Sequence, residues 1–222
     1  MDHQVAHTRG SRQEAKASYD RLSRWYDLLA ERSESKLRRV GLEMLAAQQG
    51  EAILEIGFGT GRALVALAQS VGDSGKVYGV DISEGMCAIA RARLGEAGLS
   101  ARVELHCADA TQLAFEASSF DALFVSFALE LFDTSEIPLV LSECRRVLRD
   151  GGRICVVAMS RRGKPTLATR LYAWAHDAFP NYVDCRPIFL TKTLEEAGLR
   201  VTDVVEMSTW GLPVDIALAR RT

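Results

Sequence analysis

The stretch Ile53-Leu54-Glu55-Ile56-Gly57-Phe58-Gly59-Thr60-Gly61-Arg62 decides how the rest of the chain is read. A short apolar run with one acid near its end meets three glycines spaced two apart. Ala63 to Ala68 then follow with strong helix formers and no breaker. Strand, tight glycine turn and helix, in that order, open an α/β nucleotide-binding sheet. Glycine suits such a turn because the backbone must pass close to a ligand in dihedrals that a Cβ forbids. The dinucleotide fingerprint G-x-G-x-x-G/A puts a third small residue where helix packs on strand and pyrophosphate meets the helix N-terminus. Here the spacing is Gly57-x-Gly59-x-Gly61, and Arg62 holds the place of the third glycine. Glu55, just ahead of the loop, repels a pyrophosphate and attracts an ammonium. A cationic nucleoside with an amino-acid tail fits better than NAD.

Composition sets the frame for that loop. The chain has 222 residues with a formal charge of −2, 48% hydrophobic and 25% charged residues. This is ordinary for a soluble α/β domain, and near-neutrality argues against nucleic acid as the main partner. Cys87, Cys107, Cys144, Cys155 and Cys185 show no C-x-x-C spacing and read as reduced, buried thiols, with no metal expected. Met1-Asp2-His3-Gln4 lacks the charged and apolar regions of a signal peptide, and no apolar run is long enough to span a membrane. A cytoplasmic enzyme of one domain over residues 1–222 is expected. Its parts are an N-terminal helical lid (1–50), a cofactor-binding core (51–159), a variable substrate-side insertion (160–190) and a closing helix with strands (191–222).

Helical periodicity runs from Glu14 to Gln48, with Tyr19, Leu22, Trp25, Tyr26 and Leu29 on one face and a second segment over Lys36–Ala47. These helices precede the first strand, so they are expected across the sheet edge or over its ligand crevice. Lys76–Ser83 reads as a second strand ending in Asp81, with Ser83 as cap of a helix over Glu84–Glu96. A carboxylate at that strand end suits two ribose hydroxyls. Ala101–Cys107 alternates as a third strand, and Asp121–Ser126 is apolar enough to be a central fourth. Pro138–Leu148 reads as a helix with Thr134 or Ser135 as cap, and a fifth strand follows the Gly151-Gly152 turn. In the insertion, Leu167, Leu171 and Trp174 share a helical face that Pro180 ends. A helix from Thr193 and a hairpin of Val201–Met207 with Val214–Ala219 close the chain.

Ile53 to Gly61 resembles motif I of class I S-adenosyl-L-methionine (SAM) dependent methyltransferases. Further segments extend the likeness over about residues 19–159. Tyr19-Asp20-x-x-Ser23-x-x-Tyr26-Asp27 is similar to a stretch that precedes motif I in many small-molecule members. Leu113–Asp121 resembles L-P-F-x-x-x-S-F-D with Ala114 for proline, and Leu148–Ala158 resembles L-x-P-G-G-x-h-h-h with Asp150 for proline. The group resembled most is the ubiquinone/menaquinone-biosynthesis type (methyltransferase type 11). The likeness implies a Rossmann-like α/β sheet of seven mostly parallel strands, order 3-2-1-4-5-7-6, with strand 7 antiparallel. It implies SAM as cofactor and S-adenosyl-L-homocysteine (SAH) as product. Tyr26 is implied against the methionine end, with Glu55, Gly57, Phe58, Gly59 and Gly61 at the loop. Asp81 and Ile82 are implied at the ribose, Met86, Asp109 and Ala110 at the adenine, and Ser126 and Phe127 where methyl donor meets acceptor.

The acceptor implied is a small molecule or a lipid, taken by a monomer or homodimer. Quinone enzymes carry S-F-G-x-R-N after strand four, whereas Ser126-Phe127-Ala128-Leu129-Glu130-Leu131 stands here, which argues against a quinone ring. His176, Glu130 and His106 are the candidates for a general base. His106 reads as structural and Glu130 as a surface loop residue. One alternative is a phospholipid headgroup N-methyltransferase whose N-terminal helix (Arg12, Lys16, Arg21, Arg24, Trp25) contacts the membrane surface. Another is a non-catalytic SAM- or nucleotide-binding protein. A dehydrogenase is disfavoured by Glu55 and Arg62. An arsenite methyltransferase is disfavoured because Cys87, Cys144 and Cys155 fall on scattered elements.

Overall fold

Five parallel strands and an antiparallel hairpin form one sheet in the computed structural model, which describes residues 31–162, 186–209 and 211–222. The strands are β1 (Ala52–Ile56), β2 (Lys76–Asp81), β3 (Val103–Cys107), β4 (Phe120–Ser126), β5 (Leu148–Met159), β6 (Leu199–Thr209) and β7 (Leu212–Arg221). Their order is β3-β2-β1-β4-β5-β7-β6, and β7 runs antiparallel to both β5 and β6. This is the topology that the resemblance implied. The helices are α1 (Glu31–Leu45), α2 (Arg62–Val71), α3 (Glu84–Glu96), α4 (Ile137–Val147) and α5 (Leu190–Glu196).

Side-chain alternation explains why the inner strands are apolar throughout. Leu54, Ile56, Leu123, Val125, Ile154 and Val156 face one core, with Val140, Leu141 and Cys144 of α4 and Leu190 and Leu194 of α5. Ile53, Ala122, Phe124, Cys155 and Val157 face the other, with Leu37, Leu64, Leu67, Ala90 and Leu94 from α1, α2 and α3. A parallel sheet covered on both faces leaves no position that favours a polar residue. Glu55 lies on the second face by the same alternation. It is 2% exposed, so burial of this acid needs a reason other than packing.

Helix α1 lies on a face of the sheet rather than across its edge, with Glu34 and Arg38 reaching the ligand crevice. It packs on the face of β4, β5 and β7. A Cβ on Gly41 would stand 2.6 Å from Val157 Cγ2 and 3.1 Å from Phe124, so this glycine lets helix and sheet close together. Ser83 caps α3 as expected, its Oγ accepting from Met86 N at 3.2 Å. Neither Thr134 nor Ser135 caps α4. That helix starts at Ile137 without a side-chain cap, and Ile137 N donates instead to Asp133 O at 3.2 Å. Pro138 falls in the first turn, where no intrahelical donor is needed. Strand β5 begins before the Gly151-Gly152 pair rather than after it. Phe120 pairs with Leu148 and Ala122 with Arg153, so residues 149–152 bulge out opposite Asp121. Gly151, at φ +74, makes that excursion without the proline usual in the family.

Tyr19, Trp25, Tyr26 and the rest of residues 1–30, with the insertion helix and His176, lie outside the described residues. No described helix is long and apolar enough to cross a membrane. Of the described cysteines, Cys87, Cys144 and Cys155 are buried as expected, but Cys107 is exposed because it ends its strand at the sheet surface.

Candidate functional site

The C-terminal ends of β1, β2, β3 and β4 open into one cavity, at the point where the strand order reverses between β1 and β4. The glycine turn forms its floor. Gly57, Gly59 and Gly61 take φ values of +67, +52 and +78. Gly57 N donates to Val80 O at 2.8 Å and Gly61 N to Phe58 O at 2.9 Å, which winds the loop tightly into α2. No atom lies within 4 Å of where a Cβ on Gly59 would stand, so the backbone there faces open space. Gly61 has a different task. A Cβ on it would meet Ala90 Cβ at 2.8 Å, and Gly61 does not line the cavity. It lets α2 pack against α3.

Glu55, Gly57, Phe58, Gly59, Asp81, Ile82, Met86, Asp109, Ala110, Ser126 and Phe127 all line this cavity. Asp81 fixes the loop from the side: its Oδ2 accepts from Gly59 N at 2.8 Å and its Oδ1 from Ser83 N at 2.9 Å. Asp109 Oδ1 accepts from Thr111 N and Oγ1 at 2.9 and 2.8 Å, which shapes the turn carrying Ala108 and Ala110. Arg93 of α3 donates to Thr60 O and braces the glycine turn from outside. Phe127 holds φ +53, unusual for an aromatic residue, with its N–H on Val157 O at 2.8 Å. Strain of this kind persists where surrounding structure enforces it, commonly at ligand sites.

Two buried polar atoms in the wall have no hydrogen-bond partner among the described residues: Glu55 Oε2 and Ser126 Oγ. Burial pushes the Glu55 carboxyl up to about 8, with Arg38 opposing and Asp81 adding to the rise. Desolvation that Arg38 does not offset suits a site completed by a ligand that carries a cation.

Sequence reasoning missed Glu34 and Arg38, which α1 sends into the cavity. They lie one turn apart, 3.5 Å from each other. Burial raises the Glu34 carboxyl against the opposing pull of Arg38. The signal was present: Glu34, Leu37, Arg38, Gly41 and Leu45 continue one helical stripe, and a charged pair on the buried stripe marks a crevice. Thr60, Arg62, Ser83, Leu131, Phe132 and Glu136 also line the cavity.

Of the base candidates, neither described residue lines the cavity. His106 lies among Tyr78 and Phe115, its ring 5.0 Å from the Phe115 ring and 3.1 Å from Glu104 Oε1. Glu130 is not a surface loop residue. A 3₁₀ turn over Leu129–Leu131 folds it inward until it is fully buried. Its Oε1 accepts from Met159 N at 3.0 Å, and Oε2 has no partner among the described residues. Burial pushes this carboxyl up to about 7, partly offset by the Met159 bond. A folded-state value above the ordinary 4.5 means stability is lost as pH rises from about 4.5 through 7. Glu130→Gln keeps the bond to Met159 and removes the proton. Its stability relative to the parent should rise by roughly 3 kcal/mol between pH 5 and 8, read from urea unfolding.

Residues 53–152 match the model of a methyltransferase domain family. The ubiquinone/menaquinone biosynthesis C-methyltransferase UbiE of Pseudomonas fluorescens (strain Pf0-1) is 34% identical over 163 residues, 73% of this chain and 60% of that protein. The corresponding protein of Ectopseudomonas mendocina (strain ymp) is 32% identical over 68% of this chain and 57% of its own length. A SAM-dependent methyltransferase from Aquifex aeolicus superposes with a TM-score of 0.68 over 91% of this chain and 98% of that one, at 21% identity. Residues 53–152 thus form a methyltransferase domain, within a chain that has the fold of a SAM-dependent methyltransferase. It spans about three fifths of the length of the curated relatives named above. The [4+2]-cyclase SpnF superposes with a TM-score of 0.78 over 95% of this chain and 96% of that one at 20% identity, which shows a shared fold.

Proposed function

We propose that this methyltransferase moves a methyl group from SAM to a small-molecule acceptor by in-line displacement. The observation that carries this reading is the buried Glu55 oxygen, without a partner among the described residues, beneath a glycine turn open at Gly59. An ammonium is the group that such an oxygen lacks. Glu55 would take the amino group of the methionine tail, Asp81 the ribose hydroxyls, and Asp109 with the Ala110 N–H the adenine edge. Arg38, beside Glu34, is placed to answer the tail carboxylate. When bound, SAM supplies a methyl group already activated by its sulfonium. The chain's own task is then to orient donor and acceptor and exclude water, worth about 7–11 kcal/mol when two reactants are held in line.

The acceptor side is bounded by Phe127, Leu131, Phe132 and Glu136. The curated relatives are quinone-pathway C-methyltransferases by name, and the family's Arg and Asn after β4 are Glu130 and Leu131 here. Glu130 is folded away behind the cavity and Leu131 lines it, so the polar pair is lost and the acceptor we favour is not a quinone ring. A screen with methyl-labelled SAM against extract divided into lipid, quinone, amine, phenol and macromolecular fractions tests the reading. Label is expected in a small-molecule fraction, and label in the lipid fraction favours the headgroup alternative. Transfer to macromolecules alone, or SAM binding with no transfer to any fraction, contradicts it.

A further inference from the structure

Two thiols converge beneath the wall of the cavity. The β2–β3 register pairs Asp81 with Cys107, and Ala108 N donates to Asp81 O at 2.9 Å. Cys107 Sγ lies 3.8 Å from Ile82 O, while Cys87, on the first turn of α3, places its Sγ 3.9 Å from Asp81 O. Each thiol thus points at one of two consecutive carbonyls, which sets the two side chains side by side at the end of β2. Asp81, Ile82, Ala108 and Asp109, the residues around this pair, all line the cavity, whereas neither cysteine does.

We propose that Cys87 and Cys107 form a redox-modification site, where a peroxide drives a disulfide that weakens cofactor binding. This rests on the reading of the cavity as the SAM site. Cys107 is exposed and is the thiol that an oxidant reaches; Cys87 is buried behind it. The Cys107 sulfur attacks the peroxide, takes up one oxygen as sulfenic acid and releases water from hydrogen peroxide. The Cys87 sulfur then displaces that hydroxyl, which leaves as a second water with the two thiol protons accounted for, and the S–S bond forms. Both sulfurs are oxidised and one peroxide is reduced. Burial, with the Cys107 and Asp81 contacts, holds Cys87 as the thiol, so the second step is the slow one. Cys144 and Cys155 are fully buried, their thiols pushed up to about 12 by burial, and stay outside this chemistry. A covalent S–S bond is much shorter than the approach of two unbonded sulfurs. Closing it draws α3 toward the end of β3 and shifts the Asp81–Ile82 peptide and the Ala108–Asp109 turn between them.

The test treats the full chain with hydrogen peroxide, maps cross-linked peptides by mass, and measures SAH affinity by calorimetry before oxidation, after it and after dithiothreitol. A Cys87–Cys107 peptide, roughly tenfold or more weaker SAH binding and recovery on reduction are expected. Cys107→Ser and Cys87→Ser should each bind SAH as the parent does and show no loss with peroxide. The inference is overturned if no cross-link forms, if it joins another pair, or if it forms with SAH affinity unchanged. Failure of the reduced parent to bind SAH would instead defeat the cofactor reading, and this inference with it.

Discussion

Glu55→Gln is expected to weaken SAH binding by roughly 10- to 100-fold, because a hydrogen bond to a charged partner contributes about 1.5–3 kcal/mol. The same substitution should remove a pH dependence. Burial lifts the parent carboxyl to about 8, so near pH 7 the empty site carries a proton that an ammonium-bearing ligand must expel. Affinity in the parent therefore rises with pH from 6 to 8, by up to about tenfold per unit, and levels off above that value. The empty protein shows the opposite trend, losing stability as pH rises from about 4.5 through 8, where the folded state holds the proton that the unfolded chain has released. Calorimetry at pH 6, 7 and 8 on parent and variant reads the first effect, and the thermal shift on adding SAH reads both. An affinity independent of pH in the parent would mean that Glu55 does not meet the ligand's cation.

Gly57→Ala is expected to destabilise the fold by about 2–5 kcal/mol and abolish cofactor binding. Two costs add. A φ of +67 disfavours any Cβ by about 1–2 kcal/mol, and overpacking adds about 1–3 kcal/mol. The added methyl would overlap the Cβ of Ala128, the residue at the start of the turn after β4. The two costs separate in a double variant. Ala128→Gly on the Gly57→Ala background should restore the packing share and leave the dihedral share, measured by urea unfolding. If Ala128→Gly recovers nothing, the clash is not the cause. If it recovers everything, the dihedral strain is not.

Much of this was legible in the sequence because the informative residues answer to local physics. The glycine turn, the Ser83 cap and the acid at the end of β2 are specified by dihedrals and hydrogen bonds within a few residues. The strand order came through the family likeness, since apolar runs alone do not order a sheet. What escaped was set by long-range packing. Charge and loop context made Glu130 read as a surface residue, but the turn after β4 and the Met159 N–H on the neighbouring strand draw it inside. Glu34 and Arg38 belong to a helix before the first strand, and only the packing of α1 on β4 and β5 turns them toward the cavity. Gly61 read as part of the ligand cradle, whereas its neighbour Ala90, distant in sequence, shows that it serves helix packing.

The central claim is that the cavity at the ends of β1 to β4 takes SAM rather than a dinucleotide. Isothermal titration of the full chain with SAM, SAH and NADH tests it most directly. Saturable binding of SAM and SAH at one site, with no heat from NADH and with loss of SAH affinity in Glu55→Gln, is the predicted result. Tight NADH binding with none for SAM or SAH would contradict it.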